Sequence, residues 1–259
     1  MRPARLGARA ADLLDCLLLS APPWGTRPAG PPAASLLALY TVARRRAGGP
    51  LAAGAARAFC RRLTPGRPVV MTTGLVTPRI PHGETDGPPG AAVLARALVL
   101  ARGVEIRLLT EALVVPVLDA ALGALAQGEG DALRWRTRVT VEAFPSEPGA
   151  GAVRRLWRGL DPAAVVAVEK LGPNARGVIH TMRGEDVSRM QARTDVVFRM
   201  AARRGVLTVG VGDRGNEIGM GGLLRGAARC GCGCGGSIAC TVRADVPVVA
   251  LTSNWGSYG

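Results

Sequence analysis

Lysine is nearly missing from this chain: Lys170 is the only one among 33 basic residues. Aromatic residues make up 3%, so a buried core has to be built from Ala, Val and Leu, and no set of stacking rings is available to bind single-stranded nucleic acid. Histidine occurs twice, at His82 and His180, which leaves little imidazole for catalysis or metal binding. No uncharged apolar run reaches about 18 residues, so no transmembrane helix is expected.

What is abundant is positive charge and small residues. The formal charge is +14. Apart from Arg44-Arg45-Arg46 and Arg61-Arg62, however, the arginines are scattered. With plentiful Ala, Gly and Pro, this bias reads as the footprint of a GC-rich genome rather than a nucleic-acid face. We expect no nucleic-acid and no membrane partner, and a small anionic amino acid or carboxylate as ligand; a homo-oligomer stays open. Near the N-terminus, Asp12 and Asp15 interrupt what would be the apolar region of a signal peptide. Leu6, Ala10, Leu13, Leu14 and Leu17 fall at helical spacing. An amphipathic first helix and a cytoplasmic protein are expected.

Along 259 residues the pattern changes once. Residues 1–66 read as a helical segment packed on the main domain, broken at Pro22-Pro23, Gly30-Pro31-Pro32 and Gly48-Gly49-Pro50. Residues 67–259 alternate short apolar runs with amphipathic stretches. Strands are expected at Pro68–Thr73, Val104–Leu109, Arg138–Ala143, Ala163–Val168 and Val206–Val211, with an edge pair at Ile238–Val242 and Val246–Thr252. Helices are expected at Gly90–Ala101, Val115–Ala126, Gly151–Arg158 and Ser188–Arg204. Runs that are apolar throughout suit strands buried on both faces. The fold class is therefore α/β: a mostly parallel, Rossmann-like sheet flanked by helices, with a helical N-terminal segment. Ligands of such sheets bind where loops leave the carboxyl ends of the strands.

Chemistry-bearing residues collect at those ends. Thr72-Thr73-Gly74 follows the first strand, and Glu84-Thr85-Asp86-Gly87-Pro88-Pro89-Gly90 opens the next helix. The exposed N–H groups of such a helix start suit a carboxylate. Neither a P-loop nor a GxGxxG fingerprint is present, so no nucleotide is expected. Glu169-Lys170 ends the fourth strand, placed either to handle substrate or as a surface ion pair. Arg183 has the geometry to clamp a carboxylate. After the fifth strand, Gly210–Gly222 sets Asp213, Asn216 and Glu217 in a glycine-rich frame. Their oxygens suit a hard cation, Mn²⁺ or Mg²⁺, held by Asp213 and Glu217, or acid–base work. Cys230, Cys232 and Cys234 form C-x-C-x-C, unlike the paired hooks of structural zinc sites, and no histidine is adjacent in sequence. The simpler reading there is a small-residue loop leading into a strand.

Four segments together resemble the C-terminal domain of D-glutamate cyclases: Glu84–Ala91, Gly210–Gly221, Ile238–Cys240 and Ser253–Gly256. The similarity runs from about Pro68 onward. It departs at Arg214, where the family has glycine, and after Glu169, where Lys170–Gly177 replaces an Arg-Pro-Gly run and a later Asp-Gly. Eukaryotic members carry a further hydro-lyase-like domain that is not within this sequence. The resemblance implies a carbon–oxygen hydro-lyase reaction, the intramolecular dehydration of D-glutamate to 5-oxo-D-proline. For that reaction, position and chemistry assign Glu169 as base, Asp213 and Glu217 as catalytic or cation-holding carboxylates, and the Gly87–Ala91 helix start as anion hold. Thr73, Gly74, Glu84, Thr85, Asp86, Arg183, Asn216 and Asn254 are expected to line or orient the substrate. The alternatives are a non-catalytic or regulatory carboxylate-binding module, another small-acid lyase or hydrolase, and a nucleotide-dependent ligase.

Overall fold

The computed structural model describes residues 7–20, 33–127, 130–224 and 229–259. The turns expected at Pro22-Pro23 and Gly30-Pro31-Pro32 lie outside them. Six short strands, β1 (Val69–Thr72), β2 (Ile106–Thr110), β3 (Val139–Ala143), β4 (Ala164–Val168), β5 (Leu207–Gly212) and β6 (Val246–Val249), form one sheet. The order is β3-β2-β1-β4-β5-β6 and every pairing is parallel. β1, β4 and β5 are buried along their whole length, as their unbroken Val/Ala/Met runs require of strands covered on both faces.

Helices α4 (Pro88–Arg102), α5 (Val115–Ala126), α6 (Ala150–Arg158) and α7 (Asp195–Arg203) connect the strands. One core packs β1, β2, β4 and β5 against α4 and α5, with Ala91, Ala92 and Ala95 letting α4 approach the sheet closely. The opposite face is closed by α6 and α7 through Val153, Trp157, Val197 and Phe198. The chain winds outward in both directions from the β1–β4 pair. Loops after these two strands therefore diverge and leave a crevice between them.

Two expected elements come out differently. Ile238–Val242 is not a strand: Cys240 N–H donates to Gly215 O, Thr241 N–H to Pro173 O, and Val242 O accepts from Gly219 and Gly221 N–H. These bonds lash the segment to the glycine-rich loop and leave no ladder. The helix expected over Ser188–Arg204 begins only at Asp195, after a short 3-10 turn at Ser188–Met190. Between them Gln191 Nε2 donates to Val76 O at 2.5 Å, and Ala192 N–H to Glu111 Oε1 at 2.9 Å. Tertiary bonds take the groups a longer helix would need.

Helices α1 (Ala8–Leu19), α2 (Ala33–Ala47) and α3 (Leu51–Arg62) precede the sheet, and Leu36, Leu39 and Leu51 pack with Val249 of β6. Asp15, which breaks the apolar pattern of α1, is buried because it works as a cap in trans. Its carboxylate accepts from the first N–H groups of α3, Leu51 at 2.7 Å and Ala52 at 3.2 Å, and from Tyr40 Oη at 2.9 Å. Arg44 stands 3.7 Å away. No helix among the described residues is long and apolar enough to cross a membrane.

Asp15→Ala leaves those helix N–H groups without their acceptor and is expected to cost about 2–3 kcal/mol. Urea denaturation reads this as a lower midpoint at unchanged slope; Tyr40→Phe, which removes one of the three donors, is expected to cost clearly less.

Candidate active site

The site grows from the carboxyl ends of β1, β4 and β5. Glu169 directly follows β4, and it is the only non-glycine residue with a left-handed backbone among those described, at φ 42°. Such a conformation costs about 1–3 kcal/mol and persists only where the surroundings enforce it. Here its N–H donates to Val211 O at 3.1 Å and its Oε2 accepts from Ser253 Oγ at 2.5 Å. The strain turns the carboxyl into the crevice beside β5.

Across the crevice stands the loop before α4. Gly87, at φ 106°, lies so close that a Cβ there would sit 2.6 Å from Thr73 Oγ1 and 2.9 Å from Glu169 Cβ. Asp86 immediately precedes it. Its two oxygens accept from Ser253 N–H at 3.0 Å and Asn254 N–H at 2.7 Å, the first groups of a short C-terminal helix, α8 (Ser253–Tyr258). Asn254 returns the tie: its Oδ1 accepts from Gly87 N–H at 3.0 Å and Gly90 N–H at 2.7 Å, and its Nδ2 donates to Thr85 O. The two helix starts cap one another.

That exchange corrects the role expected for the start of α4. Pro88 and Pro89 have no N–H, Ala91 N–H already donates to Gly87 O, and Asn254 takes the remaining two. No donor is left for a substrate carboxylate.

After β5 the glycine-rich loop folds back on its own strand, with Gly210 against Gly219 so closely that a Cβ on Gly210 would sit 2.6 Å from Gly219 Cα. Asp213 lies here, buried. One oxygen meets Arg214 Nε at 3.3 Å; the other, Oδ1, has no partner among the described residues, and the same holds for Thr73 Oγ1 and Asn216 Oδ1. Glu217 turns inward instead: Oε1 accepts from Arg214 N–H at 3.0 Å and Oε2 from Gly215 N–H at 2.7 Å. It shapes the loop. Asp86, Glu169 and Asp213 each offer an oxygen within 4.8 Å of the others, and Glu217 stands beside Asp213 with both of its oxygens already bonded to backbone N–H groups.

Such crowding governs protonation. Burial, then the charges of Asp213, Glu217 and Asp86, pushes the Glu169 carboxyl well above the usual range. Burial and the neighbouring Glu217 push Asp213 up to about 9. Burial also raises Asp86, against the backbone bonds from Asn254 and Ser253, and it raises Glu84, with help from the Asp86 charge. Like charges this close in a low-dielectric crevice cannot all ionise, so the group keeps protons at neutral pH and titrates as a unit.

The remaining expected residues fall outside this group. Lys170 is not at the surface: wholly buried, it pairs with Glu111 and donates to Gly74 O at 3.0 Å. Glu111 also accepts from Thr110 Oγ1 and Ala192 N–H. This pair ties the ends of β1, β2 and β4 beneath the site. Gly74 belongs to it, since a Cβ there would sit 2.6 Å from Glu111 Oε2. Glu111 has no sequence motif, and only its place directly after β2 marks it. Asn216 Nδ2 donates to His180 O at 2.9 Å. Thr85 is exposed, and Arg183 is exposed on a turn that packs against Cys230 and Gly231. His180 itself is buried beside Cys232, at 3.1 Å from Nε2 to Sγ. The expectation of a cysteine loop without histidine is therefore corrected, because 50 residues of sequence separation close up in the fold.

The fold is a doubly wound α/β domain with crowded carboxyls at its switch point, where ligands of such sheets bind. The comparisons with known proteins narrow this. Residues 39–259 match the family described as D-glutamate cyclase-like, C-terminal, and the chain belongs to that family. It is 32% identical over 206 residues to the human mitochondrial D-glutamate cyclase, a match covering 76% of this chain and 32% of that protein. The chain thus spans about a third of that relative's length. Among solved structures, the terminal R domain from the myxalamid PKS-NRPS biosynthetic pathway aligns at 14% identity and a TM-score of 0.35, covering 60% of this chain and 37% of that one. The reductase (R) domain of a non-ribosomal peptide synthetase from Mycobacterium tuberculosis aligns at 16% and 0.32, covering 61% and 37%.

Two predictions follow from this geometry. Asp213 carries its proton more tightly folded than unfolded, so its contribution to stability is full below about pH 4 and is lost as pH rises toward about 9. In a chelating buffer the protein should lose melting temperature across that span, and Asp213→Asn should flatten the loss and melt higher at the alkaline end. Lys170→Met, by contrast, strands Glu111 as a buried lone carboxylate and is expected to cost about 3–5 kcal/mol by urea unfolding, with the joint Lys170→Met, Glu111→Leu change recovering much of it.

Proposed function

We propose that this chain is a D-glutamate cyclase-like lyase that closes D-glutamate to 5-oxo-D-proline with loss of water. The observation that carries the reading is the group Asp86, Glu169 and Asp213, crowded enough to hold ionised and protonated carboxyls side by side.

The reaction needs both forms. The substrate α-ammonium must give up a proton before its nitrogen attacks the side-chain carboxyl carbon. Burial favours the protonated form of Glu169, so Glu169, turned into the crevice, takes that proton when the group's ionised position falls on it. As the C–N bond forms, the C–O bond breaks. Asp213 protonates one oxygen of the side-chain carboxylate and takes up the second N–H proton as the lactam forms, while Glu169 returns the first proton to the departing hydroxyl, which leaves as water. The carboxyl group thus ends with the same number of protons, and no oxidant or nucleotide is required. Holding both ends of one molecule makes the attack effectively unimolecular, a gain of up to about 7–11 kcal/mol for well-aligned groups.

Acidic walls favour the substrate ammonium. Arg214, whose charge acts on Asp213, Glu169 and Glu84, forms the cationic side toward which the substrate carboxylates turn. Thr73 Oγ1 and Asn216 Oδ1, both buried without partners among the described residues, are the polar atoms available to orient it. The oxygen set of Asp86, Glu169 and Asp213 also fits a hard cation such as Mg²⁺ or Mn²⁺, which would polarise a carboxylate held beside it.

The test is incubation of the full chain with D- and L-glutamate, with chelator, Mg²⁺ or Mn²⁺, and quantification of 5-oxoproline. Product from the D-isomer is expected, with Glu169→Gln and Asp213→Asn each lowering the rate about 10²- to 10⁴-fold while the fold persists. A folded wild-type chain that forms no product under any condition, yet binds or turns over another small acid, replaces this reading with a different small-acid lyase or a binding module.

A further inference from the structure

We propose that His180, Cys230, Cys232 and Cys234 form a structural zinc site, separate in place and chemistry from the carboxylate group. Each of the four offers one ligand atom, and these atoms lie within 4.8 Å of one another. Cys230 Sγ is 3.0 Å from Cys234 Sγ and 3.2 Å from Cys232 Sγ. His180 Nε2 is 3.1 Å from Cys232 Sγ and 3.7 Å from Cys234 Sγ. Three thiols and one imidazole are a complete tetrahedral zinc set, with no position left for substrate.

The backbone is shaped for this convergence. In an extended chain, cysteines two residues apart would sit about 6.6 Å apart. Gly233 at φ 80° and Gly235 at φ 69° instead coil the segment so that all three sulfurs face one point. The base of the coil is closed by the Arg229–Ser237 bridge and by Cys230 N–H donating to Gly236 O at 3.1 Å. On the opposing side, Gly184 brings the turn after His180 against Gly231, where a Cβ would be 3.0 Å from its nitrogen. A tetrahedron with zinc–sulfur bonds of about 2.3 Å separates its sulfurs by about 3.8 Å, so the thiols open by less than about 1 Å on binding.

Supporting groups are in position. Gly236 N–H donates to Cys234 Sγ at 3.4 Å, which favours a thiolate. Asn174 is buried and fixed: Oδ1 accepts from Arg176 and Val178 N–H, and Nδ2 donates to Ser237 O at 2.9 Å, beside Cys234 Sγ. Its Nδ2 lies 3.5 Å from His180 Nδ1, too far to pin the ring in the tautomer that would keep Nε2 from a metal. A disulfide is the competing use of these thiols, but it would take two sulfurs, leave the third idle and give the buried imidazole no part. Soft sulfur ligands select zinc over the Mg²⁺ or Mn²⁺ suited to the carboxylates.

The full chain, purified under reducing conditions without chelator, is expected to carry about one zinc per molecule by elemental analysis. Cys232→Ser and His180→Ala should lose most of it, while Cys60→Ser, an exposed cysteine on α3, keeps it. Titrating the reduced, metal-free wild-type chain with Co²⁺ should give thiolate-to-cobalt charge-transfer bands and the intense visible bands of a tetrahedral site, a readout that needs no variant to fold. A folded, reduced chain without zinc and without those cobalt bands overturns the proposal. So does a disulfide among these three cysteines that persists when the protein is isolated with zinc present.

Discussion

Three carboxyl groups held within a few ångströms of one another, largely out of water, are the constraint around which the rest of the molecule is arranged. Left alone, they would separate or fill with solvent, since each ionised neighbour raises the cost of the next. The structure answers with rigid backbone. Asp86 is fixed by two N–H groups of α8, Glu169 by a strained residue locked to β5 and Ser253, and Asp213 by a loop that Glu217 folds from within. Beneath them the Lys170–Glu111 pair binds three strand ends together and stops the crevice from spreading. Stability given up at the carboxyls is offset by bonds a turn or two away, the distribution expected of a preorganised site.

Arg214 alters the balance further. It sets a guanidinium 3.3 Å from Asp213 Oδ2. Its charge opposes the upward push on Asp213, Asp86 and Glu84, yet burial still dominates at all three. One cation against five nearby carboxylates therefore moderates proton sharing without abolishing it. This asymmetry explains how a chain of charge +14 can hold an acidic cluster. Glu84, Asp86, Glu169, Asp213 and Glu217 gather in one place, while Asp12, Asp119, Glu142 and Asp161 pair with arginines elsewhere on the surface.

Much of the fold was legible because β1 and β4 are nearly unbroken apolar runs and α4 starts at Pro-Pro and ends at glycine. β1 through β5 and α5 fall where Val/Leu periodicity places them. Local pattern failed where tertiary bonds overrode it, at Ile238–Val242, which serves the glycine-rich loop, and at Gln191–Thr194, whose polar groups reach Val76, Glu111 and Thr72. In the site, Glu169 and Asp213 were visible as carboxylates at strand ends and Asp86 as part of the loop that opens a helix. The partners that decide their roles were not. Nothing in the sequence says that Asn254 would take the donors of α4, that Glu111 would meet the only lysine, or that His180 would close on a cysteine run 50 residues later. Each pairing depends on how the loops cross, and loop crossing is fixed by the strand order.

That order also joins the two polar clusters. The segment after β4 runs from Glu169 past Asn174 to His180, and the segment after β5 carries Asp213 and Asn216, so the carboxylate group and the Cys–His group hang from adjacent strands. Asn216 Nδ2 bonds to His180 O, while Asn216 N–H and C=O belong to the loop that presents Asp213. Gly172 N–H donates to Asn216 O and Ile218 N–H to Lys170 O, stitching the two segments along their length. The backbone that carries His180 and the backbone that carries Asp213 are therefore tied to each other within a few residues. Rigidity at the cysteine coil and proton sharing at the switch point are two ends of one braced pair of loops.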